Sequence, residues 1–166
     1  MYENLKPLQP KGIPLLEDVV PLQEPEIAAI VARLPGIPNE YLVFLKEVGV
    51  GVWKDQADLS PYYFPRTPED AARDHFKDTL IYEEYDGNPG AFGTVWIFAY
   101  DCVGTGYGFD SGDNWKIVEI DTTRTITRLE LSFRRFVEGL LVCYPLIPTQ
   151  YSDGTWVDLA GDSHSV

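Results

Sequence analysis

Side chains able to do chemistry are plentiful in this chain, but few stand in a pattern that chemistry requires. His75 and His164, with Cys102 and Cys143, are the soft ligands and nucleophiles on offer. None has His or Cys company at metal-ligand spacing, so no metal site is expected. A nucleophile site would rest on His75 alone, inside an acidic stretch that reads better as a solvated helix face. The Ser132 hydroxyl is explained by helix capping. Asp110-Ser-Gly-Asp113-Asn114 is rich in oxygen ligands but lacks the EF-hand spacing and its late bidentate Glu, and reads as a polar hairpin turn. Gly104-Thr-Gly106-Tyr-Gly108 departs from the dinucleotide fingerprint because its third Gly comes early and a strand follows it. No helix dipole then awaits a pyrophosphate, and the run reads as a turn. A carboxylate pair such as Asp101 and Asp110 would suit a hydrolase. With 26 Asp and Glu, however, some pair lies close by chance, and no basic or metal-binding residue singles one out. No catalytic residue, metal or cofactor is therefore expected.

What remains is binding. Trp53, Asp55, Asp58, Tyr62 and Tyr63, then Glu83, Glu84, Tyr85 and Asp86, interleave acids with aromatics, and Asp110 and Asp113 add two acids in a turn. Tyr and Trp supply contact energy at interfaces, while a field of one sign speeds encounter with a basic partner. The competing reading of each ring is burial in the core. Net charge is −13, and residues 40–113 hold 14 Asp and Glu against 5 Lys and Arg. Such a surface disfavours direct binding to nucleic acid or to an anionic membrane.

The elements that must carry these residues are written in start and stop signals. Pro25 suits the opening of a first helix, in which Ile27, Ile30, Val31 and Leu34 share a face until Pro35-Gly36 ends it. A second helix begins after Pro38, with Asn39 as expected N-cap and Glu40 at the positive end of the dipole. It carries Tyr41, Leu42, Phe44, Leu45 and Val48, too many apolar positions for one narrow stripe, and stops at Gly49. Strands are expected at residues 51–54, 59–64, 94–100, 106–110 and 116–121, with Ile117, Glu119 and Asp121 alternating against Val118 and Ile120. A short helix capped by Thr67 with Pro68 after it falls between them. Ser132 caps a last helix bearing Phe133, Phe136, Val137, Leu140 and Leu141. The apolar helix faces and strands must cover one another, which predicts an α+β fold, an antiparallel meander with helices packed on it.

Three segments follow: a Pro-rich arm over 1–24 whose apolar residues pack on the domain, the domain over 25–145, and a tail over 146–166 that packs on the domain or frays. With 166 residues, 45% of them hydrophobic, the chain has the composition to fold. No run is long enough to span a bilayer, and the first residues lack the pattern of a secretory signal, so the cytoplasm, with two free thiols, is expected.

The early run Leu34-Pro…Pro38-Asn-Glu-Tyr-Leu-Val-Phe-Leu-Lys-Glu-Val-Gly, the central Val95-Trp-Ile-Phe-Ala…Gly104-Thr-Gly-Tyr-Gly-Phe-Asp…Val118-Glu-Ile-Asp and the late Ser132-Phe-Arg-Arg-Phe-Val-Glu-Gly-Leu-Leu together resemble the SUKH superfamily, the Smi/Knr-type group. The resemblance covers residues 25–142 and implies an immunity protein that neutralises a toxin of interbacterial competition by covering its active site or substrate groove. Where the family usually has Asn-Gly after the second helix, this chain has Val50-Gly51. The acidic charge suits a basic toxin domain, a nuclease or another anion-binding enzyme. Two alternatives come from other classes: an intracellular regulatory module like the group's fungal member, and an acidic hydrolase.

Overall fold

Helix α1 spans Glu24–Arg33, and the Glu26 carboxylate closes its first turn by accepting the Gln23 amide at 2.7 Å. Pro25 therefore sits one residue inside the expected position. Ile27, Ile30 and Leu34 are buried as expected, but Val31 is exposed, because the apolar stripe is only wide enough for the first three. Helix α2 spans Asn39–Glu47 and is entered from Pro38, so Asn39 is its first helical residue and not its N-cap. Gly49 ends it as expected: its φ is +115°, its amide reaches the Phe44 carbonyl, and a Cβ there would collide with the backbone of Val20. Helix α3 spans Phe133–Cys143. Two acceptors from different parts of the chain close its N-terminus, the Ser132 hydroxyl on the Arg135 amide at 3.3 Å and the Glu40 carboxylate on the Arg134 amide at 3.1 Å. The second locks the start of α3 to the start of α2.

This computed structural model describes residues 2–5, 8, 15–17, 19–51, 90–100, 104–143, 149–150, 156–157 and 163–164. The strands and helix expected within 52–89 lie outside these residues, as do His75, Asp101 and Cys102. Four strands, β1 (Val95–Tyr100), β2 (Gly106–Asp110), β3 (Lys116–Ile120) and β4 (Ile126–Leu129), form an antiparallel meander in sequence order. The fold is α+β. Strand β4 is an addition to the sequence reading. A β1–β2 register shift between Ile97 and Ala99 marks a bulge. Gly106 and Gly108 lie within β2 and are not part of a turn; a Cβ on Gly108 would come 2.7 Å from Val95 Cγ1, so the strand needs glycine to let its neighbours close over it. Only Gly104 of that run, with φ +93°, turns the chain.

The helices cover one face of this sheet through aromatic rings. Phe133 lies 5.1 Å from Tyr41, 5.5 Å from Phe44, 5.3 Å from Phe98 and 5.8 Å from Phe109, centroid to centroid. Leu45, Phe136, Leu140 and Ile117 are buried in the same core, while Val48 and Trp96, expected there too, pack against it half-buried. Alternation sends Val118 and Ile120 to the opposite face, where they join Val95 and Ile97 in a second cluster. Both faces of β3 are thus buried. The N-terminal arm packs on this frame: Tyr2, Leu5 and Leu15 are buried, Tyr2 meets Phe44 edge-on at 5.2 Å, and Val20 exchanges backbone hydrogen bonds with Val50. In the tail, β5 (Thr149–Gln150), β6 (Trp156–Val157) and β7 (Ser163–His164) form a small antiparallel sheet, with β6 beside α3, so pairing extends into residues expected to fray.

The β3–β4 turn hangs on Asp121, whose Oδ1 accepts the Thr123 hydroxyl at 2.7 Å and the Thr123 and Thr125 amides at 2.8 Å. The Thr123 hydroxyl first, then the Thr125 amide, hold its carboxyl below the usual range. A lowered pKa means that the turn's stabilisation is complete above the ordinary carboxylate value and is lost as pH falls through the lower one. The amide proton shifts of Thr123 and Thr125 should therefore titrate together with a midpoint under about 3.9. A midpoint above that value would show that the carboxylate does not organise the turn.

Candidate functional site

Of the eleven acids and aromatics that the sequence offers as binding residues, Trp53, Asp55, Asp58, Tyr62, Tyr63, Glu83, Glu84, Tyr85 and Asp86 lie outside the described residues. Asp110 and Asp113 are described, and they stand side by side around one cation. Asp110 ends β2 and Asp113 sits in the following turn, which β4 approaches through Arg128. The Arg128 guanidinium donates Nη2 to Asp110 Oδ2 at 2.8 Å, Nε to Asp113 Oδ2 at 2.6 Å and Nη1 to the Gly90 carbonyl. Asp110 also accepts the Phe92 amide at 2.8 Å and the Gly112 amide at 2.9 Å.

Each contact follows from local chain geometry. The β2–β3 loop, residues 111–115 between the paired Asp110 and Lys116, places Asn114 and Trp115 in left-handed backbone at φ +51° and +59°, with the Lys116 amide on the Asp113 carbonyl at 3.0 Å. Asn tolerates that backbone readily and Trp does not. Packing holds it there, since the Trp115 indole lies against Gly36 and the helical core. On the other side, the segment before β1 presses backbone to backbone on this turn, and a Cβ on either Gly93 or Gly112 would collide with the other strand of chain. Ser111 fastens the two through its amide and hydroxyl, both on the Thr94 carbonyl, at 2.9 and 2.7 Å.

The chemistry available to this cluster is limited by its pairing. Asp110 has no exposed surface, and its two oxygens serve three donors, so it presents neither a charge to a partner nor a free carboxylate to a substrate. Asp113 is about one-fifth exposed and shares the same guanidinium. Where a calcium loop would gather oxygens around an ion, these oxygens gather around Arg128. Among the described residues no three His, Cys, Asp or Glu side chains converge to hold a metal, and no helix is long and apolar enough to cross a membrane.

Two residues of the cluster escaped sequence reasoning. Arg128 sits in a four-residue strand with little alternation, and its partners are 15 and 18 positions away. Phe92 stands just before β1 and is 63% exposed, with the Arg128 guanidinium carbon 3.9 Å from its ring centroid. No local signal marks Arg128, because β4 does not announce itself in the sequence.

Compared with known proteins, the chain matches no family model, no curated protein and no solved structure.

Proposed function

We propose that this chain is a SUKH-type immunity protein, a cytoplasmic binding protein without catalysis of its own that neutralises a basic toxin domain by covering its active site or substrate groove. The observation that carries the reading is the order of elements around the aromatic core. Among the described residues two helices precede an antiparallel meander and one helix closes it, with the matching sequence runs on α2, β1–β3 and α3. The charge supports the class of partner. Residues 52–89 alone carry nine Asp and Glu against four Lys and Arg, interleaved with Trp and Tyr, and acids in such numbers compete with phosphates for a cationic groove. Against an acid–base enzyme speaks the engagement of Asp110, which three donors hold away from any substrate.

Association with a cognate basic toxin domain should be fast at low salt and slow steeply as salt rises, because a Debye length of ~10 Å at 0.1 M screens the steering field. Replacing Asp55, Asp58, Glu83, Glu84 and Asp86 together by their amides should slow association roughly tenfold or more at low salt and leave the melting temperature in place. Stopped-flow association rates across a salt series decide the matter. Rates that are flat with salt, together with full protection of cells by the five-fold variant, would remove the acidic stretch from the interface.

A further inference from the structure

Phe92 is an exposed aromatic on a backbone that has almost no freedom. Its amide is bound to a carboxylate with no solvent exposure, Asp110, which Arg128 pairs in turn. Its carbonyl abuts Gly112, so closely that only glycine fits there. The next residue but one, Thr94, takes both the amide and the hydroxyl of Ser111 on its carbonyl. Above the ring, Arg128 lies in cation–π contact at 3.9 Å from the centroid. Residues before and after the ring are held as well, since Arg128 also binds the Gly90 carbonyl. Val20, exposed likewise, is also held by backbone bonds to Val50 and by the close approach of Gly49, but it carries neither a ring nor a stacked cation.

A rigid aromatic that loses little conformational freedom on contact is what an interface anchor requires, and aromatic residues and Arg are both enriched in the cores of interfaces. The chemistry around it names the partner's surface. Asp113 lies beside the guanidinium at 2.6 Å. The chain as a whole carries a net charge of −13, with most of the acidic excess in residues 40–113, the stretch that contains Phe92. An apolar ring on a chain of that charge fits a basic surface bearing an apolar pocket.

We infer that Phe92, presented on the Asp110–Arg128 clamp, is the anchor that inserts into an apolar pocket on the basic surface of the partner. This rests on the proposed toxin-binding function and names the residue that would hold the complex together after the acidic field has brought the two proteins into contact. The two roles separate kinetically: steering acts on association, an anchor acts on dissociation.

The test is surface-plasmon kinetics of the full chain with the basic toxin domain it protects cells against, comparing wild type, Phe92→Ala and Phe92→Leu. Phe92→Ala should dissociate roughly 30-fold faster or more, with the association rate and its salt dependence unchanged and the melting temperature within about 2 °C of wild type. Phe92→Leu, which refills part of the pocket, should recover part of that loss. Wild-type binding with unaltered dissociation of Phe92→Ala overturns the anchor and leaves the proposed function standing. Absence of wild-type binding removes both. A melting temperature lowered by 10 °C or so in Phe92→Ala would show that the ring serves the fold instead, and a free chain that sediments as a dimer and becomes a monomer on the same substitution would show that its pocket lies on a second copy of this chain.

Discussion

Replacing Phe133 with Ala should lower the unfolding free energy by about 3–5 kcal/mol, which for a domain of this size corresponds to a fall in melting temperature of roughly 10 °C. The reason is position. Phe133 is the first residue of α3 and lies within 6 Å of rings from α2, β1 and β2 together, namely Tyr41, Phe44, Phe98 and Phe109. Truncation removes the transfer energy of the ring and leaves a cavity where three elements meet, so no single element can relax to close it. Edge-on and tilted pairs add about 0.5–1.5 kcal/mol each beyond area. Val43→Ala, on the half-buried side of α2, is the control and should cost much less. Chemical denaturation of both variants, followed by far-ultraviolet circular dichroism, measures the difference. A loss for Phe133→Ala under about 1.5 kcal/mol would mean that the helical layer is not seated on the sheet through this ring.

Replacing Arg128 with Met should cost a similar amount, about 3–5 kcal/mol, for a different reason. Asp110 has no exposed surface, and its two amide donors remain when the guanidinium goes, leaving a buried charge without its counter-charge. Removing the charge as well should recover much of the loss, so Arg128→Met with Asp110→Asn should be more stable than the sum of the two single variants predicts. A coupling energy of more than about 1 kcal/mol between positions that touch is the expected outcome of the double-mutant cycle. Strict additivity would show that the pair contributes no more than its separate contacts. Local consequences follow from geometry: with Arg128 lost, the Gly90 carbonyl loses its donor and the segment leading into β1 loses one of its ties, so amide exchange at Phe92 should rise before the rest of β1 is affected.

Much of the frame was legible because its causes are local. Gly49 ends α2 through a backbone conformation that glycine adopts without strain, and Ser132 caps α3 through an oxygen three residues from the amide it accepts. The alternation of Ile117 against Val118 and Ile120 sends them to opposite faces of the sheet, as the two-residue period of a strand requires. Charge is equally local to the sequence, and the acidic excess of residues 40–113 holds whatever the fold.

The rest depended on residues meeting across long separations. Asn39 has the chemistry of a cap, yet the chain turns one residue earlier at Pro38, and the orphan amides of α3 are met partly by Glu40, 94 positions away. Strand β4 has too few apolar positions to announce itself and exists because β3 offers it a ladder. Asp110 and Asp113 are indistinguishable from surface acids by type. Only the hairpin turn and the approach of β4 turn them inward around Arg128, because a charge leaves water when the fold supplies its counter-charge and donors in place. By itself, then, the sequence determined where α2 stops and α3 starts, which way the side chains of β3 alternate and the sign of the net charge, all set by neighbours in the chain. Tertiary structure alone decided which carboxylates are buried and which aromatic is held outward at Phe92, since burial and exposure are properties of what packs against a residue and not of the residue itself.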